Sequence, residues 1–156
     1  MPCTSKPQNF CRGWGHNVRH GLCGDLGFSS DDRDENVRRV GEVAKLFVEA
    51  GIITLTAFIS PFRASCEIVR GLVPHGDFLE IYCNRDISVC EQRDPKGLYL
   101  RAKRGEIADF TGVSSPYEVP IAPDLTVDTG ALSLTASVSL VLDLLNERGI
   151  IMPAQF

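Results

Sequence analysis

The chain has 156 residues, of which 44% are hydrophobic and 23% are charged, and its formal net charge at pH 7 is −4. One folded domain of ordinary composition accounts for these values, which exclude collagen-like and disordered chains. The net negative charge argues against non-specific binding to nucleic acid. The apolar runs are too short to span a membrane, so neither nucleic acid nor membrane is expected as a partner.

The cysteine pattern bears on the cellular compartment. None of the six cysteines has C-x-x-C spacing, and the three histidines form no cluster with metal-ligand spacing. Several cysteines lie in apolar segments, which is typical of small buried side chains in a reducing compartment. The N-terminus lacks the apolar segment of a secretory signal. We therefore expect a cytoplasmic protein with no metal held by these residues.

In the first half of the chain, segments with helical or strand periodicity are bounded by segments that contain glycine or proline. Residues 1–16 show no helical or strand period, and two prolines and two glycines predict a coil. Residues 30–50 predict a helix, because a serine can cap the first turn, apolar side chains follow at helical spacing, and Gly51 provides the stop. The β-branched run 52–59 predicts a strand buried on both faces, as in a parallel sheet.

The second half continues the alternation with shorter elements. The pattern predicts a helix through residues 67–72, a strand at 78–83, a short helix at 87–90, a basic helix within 95–104, a loop over 105–123, a strand at 125–127 and a helix from Ser133 to Gly149. The last helix places five apolar side chains on one face, namely Leu134, Val138, Val141, Leu142 and Leu145. The order favours an α/β fold with a parallel sheet. Only three strands are apparent, which is fewer than a sheet of this kind usually has. The missing strands would lie at the N-terminus.

Five segments combine residue types that carry chemistry, namely 17–28, 32–39, 57–61, 90–104 and 109–112. Four arginines near the start of the long helix match phosphate or sulfate oxygens bidentately; they are Arg19, Arg33, Arg38 and Arg39. A mobile basic helix at 93–104 would suit the charge on a transferring phosphoryl group. Phe28 and Phe110 lie in loops that contain glycine, where a planar base can stack.

Each segment also has a simpler interpretation. An arginine-rich helix face is commonly a solvated surface with Asp and Glu pairs. A loop phenylalanine more often fills a core than stacks on a base, and Ser60-Pro61 after a strand is usually a turn. No single segment identifies an activity.

Taken together, the segments 17–28, 32–39, 58–61, 93–99 and 110–112 resemble the signatures of the adenylylsulfate kinase family, in that family's order. The resemblance covers residues 17–156 and implies a P-loop-kinase-like, three-layer α/β fold with a lid at about 95–112. It implies phosphoryl transfer from magnesium-ATP to the ribose 3′-hydroxyl of adenosine 5′-phosphosulfate, in sulfate assimilation. The cofactors implied are Mg²⁺ and ATP.

The resemblance also implies a role for each matching residue. Asn17 would be one of the substrate-binding residues, Arg19, Arg33 and Asn36 would hold phosphosulfate and ribose, and Phe28 and Phe110 would sandwich the adenine. Contacts to the same substrate are implied for Ile59, Ser60 and Lys96, and Ser60 matches a serine assigned as a phosphoserine intermediate. Four basic residues would serve the lid and the ATP side, namely Arg93, Arg101, Lys103 and Arg104.

Two family features are missing from the 156 residues. The family's first strand leads into a G-x-x-x-x-G-K-[ST] loop that cradles the ATP phosphates, and no such motif occurs here. The family motif Asp-Gly-Asp-Asn reads Trp14-Gly15-His16-Asn17, so both carboxylates are lost. Because one well-placed stabilising donor is worth about 10²–10³ in rate, we expect this polypeptide to have little or no kinase activity.

Three interpretations therefore stay open. The chain is an enzyme of this family or a damaged copy, a non-catalytic module that binds phosphosulfate or pairs with a partner, or a different small-molecule P-loop kinase. The abrupt start of family-like sequence at Asn17 is compatible with a truncated gene, a shifted reading frame or a degenerate paralogue. Without its first strand the sheet would expose apolar surface, so we expect poor solubility or self-association, such as a homodimer.

Overall fold

The computed structural model describes the backbone of residues 10–151 and the side chains from residue 18 onward. Residues 1–9, which belong to the predicted coil, lie outside the described residues, as does the side chain of Asn17. The chain divides into two compact units, Met1–Phe78 and Leu79–Phe156. The predicted boundary after residue 16 stays a prediction.

The first unit contains a two-stranded parallel sheet and three helices. Its elements are β1 (Phe10–Trp14), α1 (Gly15–His20), α2 (Ser30–Glu49), β2 (Ile53–Ala57) and α3 (Arg63–Arg70). Strand β1 pairs with β2 in parallel, from Phe10 opposite Ile53 to Trp14 opposite Ala57. Helix α2 packs against both β2 and α3.

Helix α2 forms where the sequence predicts it. Ser29 caps it, because its hydroxyl accepts a hydrogen bond from the Asp32 amide at 3.2 Å. Gly51 ends it with a left-handed φ of 76°, a conformation in which a side chain would be strained. Between these ends Val37 is buried, and so is Gly41, which lets α3 approach closely.

The second unit also contains a two-stranded parallel sheet. Its elements are β3 (Ile81–Asn84), α4 (Ile87–Arg93), α5 (Leu98–Lys103), β4 (Leu125–Asp128) and α6 (Leu134–Glu147). Strand β3 pairs with β4 in parallel, from Ile81 opposite Leu125 to Asn84 opposite Asp128. Helix α6 packs against β4, and the buried apolar side chains of this unit are Ala102, Val127, Leu144 and Leu145. The α/β class with parallel strands is confirmed.

Three details differ from the sequence prediction. The coil prediction is wrong over residues 10–14, which form β1, so the described residues contain one strand more than the three expected. The expected burial of β2 on both faces is also wrong, since Leu55 is 46% exposed. The apolar face predicted for α6 is only partly buried, since Leu145 is 8% exposed whereas Leu134 is 81% exposed. A two-stranded parallel sheet covers too little surface to bury these side chains.

No described helix is both long and apolar enough to cross a lipid bilayer.

Candidate functional site

The segments that follow β1 and β2 carry the predicted acceptor-site residues of the first unit, some in loops and some in α1 and α2. Helix α1 starts directly after β1, and residues 21–29 connect it to α2. Residues 58–62 follow β2 and lead into α3. Because the two strands are parallel, both connections leave the same, carboxyl edge of the sheet, where α/β proteins bind ligands.

Residues 22–28, which we call the arginine-held loop, are tied down by three arginines. Arg39 of α2 donates to the carbonyl oxygen of Leu22 at 2.9 Å and to the carboxylate of Asp25 at 2.6 and 2.9 Å. Arg33 of α2 donates from Nε to the Phe28 carbonyl at 2.8 Å. Side chains from the neighbouring helices therefore add to the backbone hydrogen bonds of the loop, such as that from the Leu26 amide to the Cys23 carbonyl at 3.2 Å.

Arg19 completes these contacts from α1. Its Nη1 lies 3.4 Å from the carbonyl oxygen of Leu26 and also donates to the carbonyl of Gly27. Its guanidinium carbon lies 4.8 Å from the centroid of the Phe28 ring, within cation–π range. Phe28 is 65% exposed, so it does not fill a core. The ring is presented to solvent while the backbone beneath it is fixed.

Asn36 is the buried polar residue of this region. It is 4% exposed, and its Oδ1 atom has no hydrogen-bond partner within the part of the chain that the structure describes. It lies one helical turn after Arg33 on α2, so the two residues share a helix face. An unpaired buried amide oxygen is costly, and such groups commonly await a ligand or an ordered water.

The end of β2 carries the next predicted residues. Ile59 is 66% exposed, whereas Pro61 is buried. Between them Ser60 has a left-handed φ of 43°, which is a strained conformation for a residue with a side chain. Backbone strain of this kind is often found at functional sites, and Asp109, with a φ of 52°, shares it.

The remaining predicted residues belong to the second unit. Lys96 is exposed just before α5. Phe110 is half-buried and packs edge-on against Tyr99, with 5.0 Å between ring centroids. Arg93 of α4 lies 3.4 Å from the carbonyl oxygen of Thr129.

The basic residues of the predicted lid are paired with acids in the same unit. Lys103 lies 2.7 Å from Glu91, and Arg101 and Arg104 lie 3.2 and 4.0 Å from Glu106. Such exposed pairs are each worth about 0–1 kcal/mol, so an anionic ligand could displace them.

Sequence reasoning missed the residues that shape the arginine-held loop. The sequence predicts Arg39 as an anion-binding arginine, but its partners are Asp25 and Glu35, the latter at 2.8 Å, as in the simpler interpretation of an arginine-rich face paired with acids. Arg38 likewise pairs with Glu35 at 2.7 Å. The i, i+4 spacing of Glu35 and Arg39 could have signalled one of these pairs, but Asp25 is 14 residues away from Arg39.

These contacts fix the charge state of the region. Hydrogen bonds from Arg38 and Arg39 lower the pKa of Glu35 to about 2, and the hydrogen bond from Arg39 lowers the pKa of Asp25. The same bonds raise the pKa of Arg39. Burial raises the pKa of the Cys23 thiol. At neutral pH the two carboxyls are ionised and bound to arginine, so neither suits the role of general base.

Four of the described carboxylates are engaged by donors of the protein and so are poorly placed to hold magnesium. Asp25 and Glu35 are held by arginines, Asp34 accepts a hydrogen bond from Ser65, and Asp128 accepts from two backbone amides and Arg85. Nowhere in residues 18–151 do three His, Cys, Asp or Glu side chains come close enough to hold a metal. We therefore derive no step through Mg²⁺ from these residues.

Comparison with known proteins gives a consistent answer. The family profile described as "Adenylylsulphate kinase" matches residues 6–128. An "Adenylyl-sulfate kinase" from Acaryochloris marina is 63% identical over 139 residues, which are 89% of this chain and 68% of that protein.

Solved structures agree in fold. The Mycobacterium tuberculosis APS kinase CysC, in complex with AMPPNP and APS, is 41% identical and aligns with a TM-score of 0.82 over 89% of this chain and 80% of that one. A hexameric APS kinase from Thiobacillus denitrificans is 29% identical, with a TM-score of 0.65 over 92% of this chain and 24% of that one. The match of the profile to most of the chain, and the close relatives, show that the chain belongs to the adenylylsulphate kinase family.

Proposed function

We propose that the chain binds adenosine 5′-phosphosulfate, the substrate that accepts phosphate in the family's reaction. The observation that carries this proposal is the buried, unpaired Oδ1 of Asn36, one turn from Arg33. A ribose hydroxyl can donate to that oxygen, and arginine can bind the phosphosulfate oxygens in a bidentate manner. The APS held by the Mycobacterium tuberculosis kinase supports the choice of ligand.

The roles of the other first-unit residues follow from their chemistry. Phe28 offers an exposed aromatic face on which adenine can stack. Arg19 provides positive charge beside that ring, and Asn17 is carried by the same helix. Ile59 and Ser60 follow β2 and would contact the substrate there. A phosphoserine at Ser60 is a further proposal, supported by the strained backbone at this position.

In the second unit we propose Lys96 and Phe110 as substrate contacts and residues of about 95–112 as the lid of the nucleotide site. The lid and ATP-side cations would be Arg93, Arg101, Lys103 and Arg104. The pairs that Arg101, Lys103 and Arg104 form with Glu91 and Glu106 are weak enough to give way to a polyphosphate.

We further propose that this 156-residue polypeptide, assayed alone, transfers phosphate poorly. The family reaction moves the γ-phosphoryl group of ATP to the ribose 3′-hydroxyl, and it depends on positioning and on neutralising phosphate charge. The sequence holds no G-x-x-x-x-G-K-[ST] motif, and Trp14 and His16 stand where the family has carboxylates. A non-catalytic phosphosulfate-binding module, which is the alternative function, is favoured by the same observations.

A cytoplasmic setting and self-association are also proposed. Free thiols at Cys23, Cys66, Cys83 and Cys90 suit a reducing compartment. The exposed apolar side chains of α6 favour contact with another copy, and the hexameric relative supports assembly within the family.

Calorimetry with two ligands tests the binding proposal. We expect adenosine 5′-phosphosulfate to bind and ATP to bind weakly or not at all. Arg33→Gln should weaken phosphosulfate binding about tenfold or more, because a charge-assisted contact is lost. Lys45→Gln is the matched control, since it removes one positive charge from α2 at a surface pair with Glu49. Equal affinity in both variants would contradict the proposal.

A coupled assay tests the activity proposal separately. We expect turnover far below the ordinary kinase range of about 1–100 s⁻¹. Turnover within that range would refute the proposed loss of the donor site without affecting the binding proposal.

A further inference from the structure

The arginine-held loop, residues 22–28, is fixed at every part of its length. Its first part is held by Arg39, through the Leu22 carbonyl and the Asp25 carboxylate. The same part is anchored by Cys23, which is fully buried and whose amide donates to the carbonyl of Val18 at 2.9 Å. A short loop with this many external contacts has little conformational freedom left to lose when a ligand binds.

The last part of the loop is held by the two arginines proposed to contact substrate. Arg19 donates to the carbonyl of Gly27 and lies against the ring of Phe28, and Arg33 donates to the Phe28 carbonyl. A Cβ atom at Gly27 would lie 2.8 Å from Oδ2 of Asp32, so a side chain there would displace the Asp32 carboxylate. The position of the Phe28 ring is thus the end result of contacts made along the whole loop.

Arg39 stands apart from Arg19 and Arg33 because the proposed function gives it no contact with ligand. Its Nη1 and Nη2 bind the two oxygens of Asp25, and its Nε binds Oε1 of Glu35 at 2.8 Å. This is the bidentate fork that arginine provides and lysine does not. One side chain therefore joins the start of the loop to helix α2.

We infer that Arg39 is a positioning residue for the substrate base: by joining Leu22 and Asp25 to α2 it fixes the arginine-held loop and so places the ring of Phe28 for stacking. The inference rests on the proposed function, because the base is that of adenosine 5′-phosphosulfate. A preorganised ring costs less conformational entropy on binding than a mobile one. Loss of Arg39 therefore weakens recognition of the base without removing any atom that touches it.

Arg38 is a matched control within the same helix. It pairs with Glu35, as Arg39 does, and with Glu42 at 3.8 Å, and both of these partners lie on α2 itself. Arg38→Gln and Arg39→Gln make the same change of charge at adjacent positions. Only the second variant breaks contacts to the arginine-held loop.

The first measurement uses the free protein and needs no ligand. Fluorine NMR of protein labelled with 4-fluorophenylalanine reports on Phe28, whose resonance is assigned by its loss in Phe28→Leu. We expect Arg39→Gln to shift or broaden that resonance and Arg38→Gln to leave it unchanged. An unchanged Phe28 resonance in Arg39→Gln would overturn the inference, whatever the ligand results.

The second measurement compares the binding of ligands that contain the adenine base with the binding of an anion that lacks it. We expect Arg39→Gln to weaken binding of adenosine, and of adenosine 5′-phosphosulfate, by about fivefold, the order expected for impaired stacking. Pyrophosphate, which carries no base, should bind within about twofold of wild type, as should all three ligands in Arg38→Gln. Equal losses for adenosine and pyrophosphate would contradict the positioning role and indicate a general charge effect.

Two further cases must be distinguished from a failure of the inference: a variant that does not fold, and a protein that does not bind the proposed ligands. If Arg39→Gln fails to fold, Asp25→Asn replaces it, since that side chain is largely exposed and its loss breaks the same fork. If wild-type protein binds none of the three ligands, the proposed function fails, and the fluorine resonance of Phe28 alone decides whether Arg39 sets the loop.

Discussion

Replacing Asn36 by leucine should make the protein more stable and a poorer binder at the same time. Asn36 is 4% exposed, and its Oδ1 has no partner among the described residues. A buried polar atom left unpaired costs about 1–3 kcal/mol, and leucine has a similar shape without that atom. After allowance for imperfect repacking we expect a gain of about 1–2 kcal/mol in the free energy of unfolding.

Urea or thermal unfolding of the unliganded protein measures this gain. For a chain of this length it corresponds to a rise in Tm of about 2–8 °C. Binding of adenosine 5′-phosphosulfate should fall about tenfold, because the oxygen offered to the ribose is gone. Asn146→Leu, on the exposed end of α6, is the control and should change the free energy of unfolding by less than about 0.5 kcal/mol.

The opposite result would refute the reasoning. If Asn36→Leu lowers the Tm, then Oδ1 is already satisfied in the free protein, for example by an ordered water, and the residue is structural. If the Tm rises but affinity for adenosine 5′-phosphosulfate is unchanged, the unpaired oxygen has no role toward that ligand.

Two further substitutions test the electrostatics and the packing of the first unit. The arginines that bind Glu35 lower its pKa to about 2, so this group contributes stability above its unfolded pKa near 4.5 that is lost as pH falls toward 2. Urea midpoints across that window should fall less steeply in Glu35→Gln than in wild type, and Glu147→Gln should follow wild type; identical slopes in all three proteins would contradict the assignment. A Cβ atom at Gly41 would lie 2.7 Å from Val69 of α3, so Gly41→Ala should cost about 1–3 kcal/mol in unfolding free energy. Gly71→Ala is its control, since the backbone there is helical and the nearest atom lies 3.5 Å away; equal stability of the two variants would show that α2 and α3 are not closely packed.

The sequence by itself determined the local features. The cap at Ser29, the acidic first turn and the left-handed stop at Gly51 bound α2 nearly where the pattern predicts. The capping residue Ser133 likewise fixes the start of α6. These signals involve residues a few positions apart, so they act before any tertiary contact forms. The family motifs were readable for the same reason, because their residues are contiguous.

Only the tertiary structure decided which distant residues meet. Residues 10–14 lack strand periodicity, and their strand exists through pairing with Ile53–Ala57, some forty residues away. The bond between Arg39 and Asp25 and the unpaired oxygen of Asn36 also depend on how α1, α2 and the intervening loop pack. The apolar faces of β2 and α6 could be read from periodicity, but their exposure depends on how much surface two short sheets can cover. Local pattern sets which side chains share a face, whereas packing determines what that face meets.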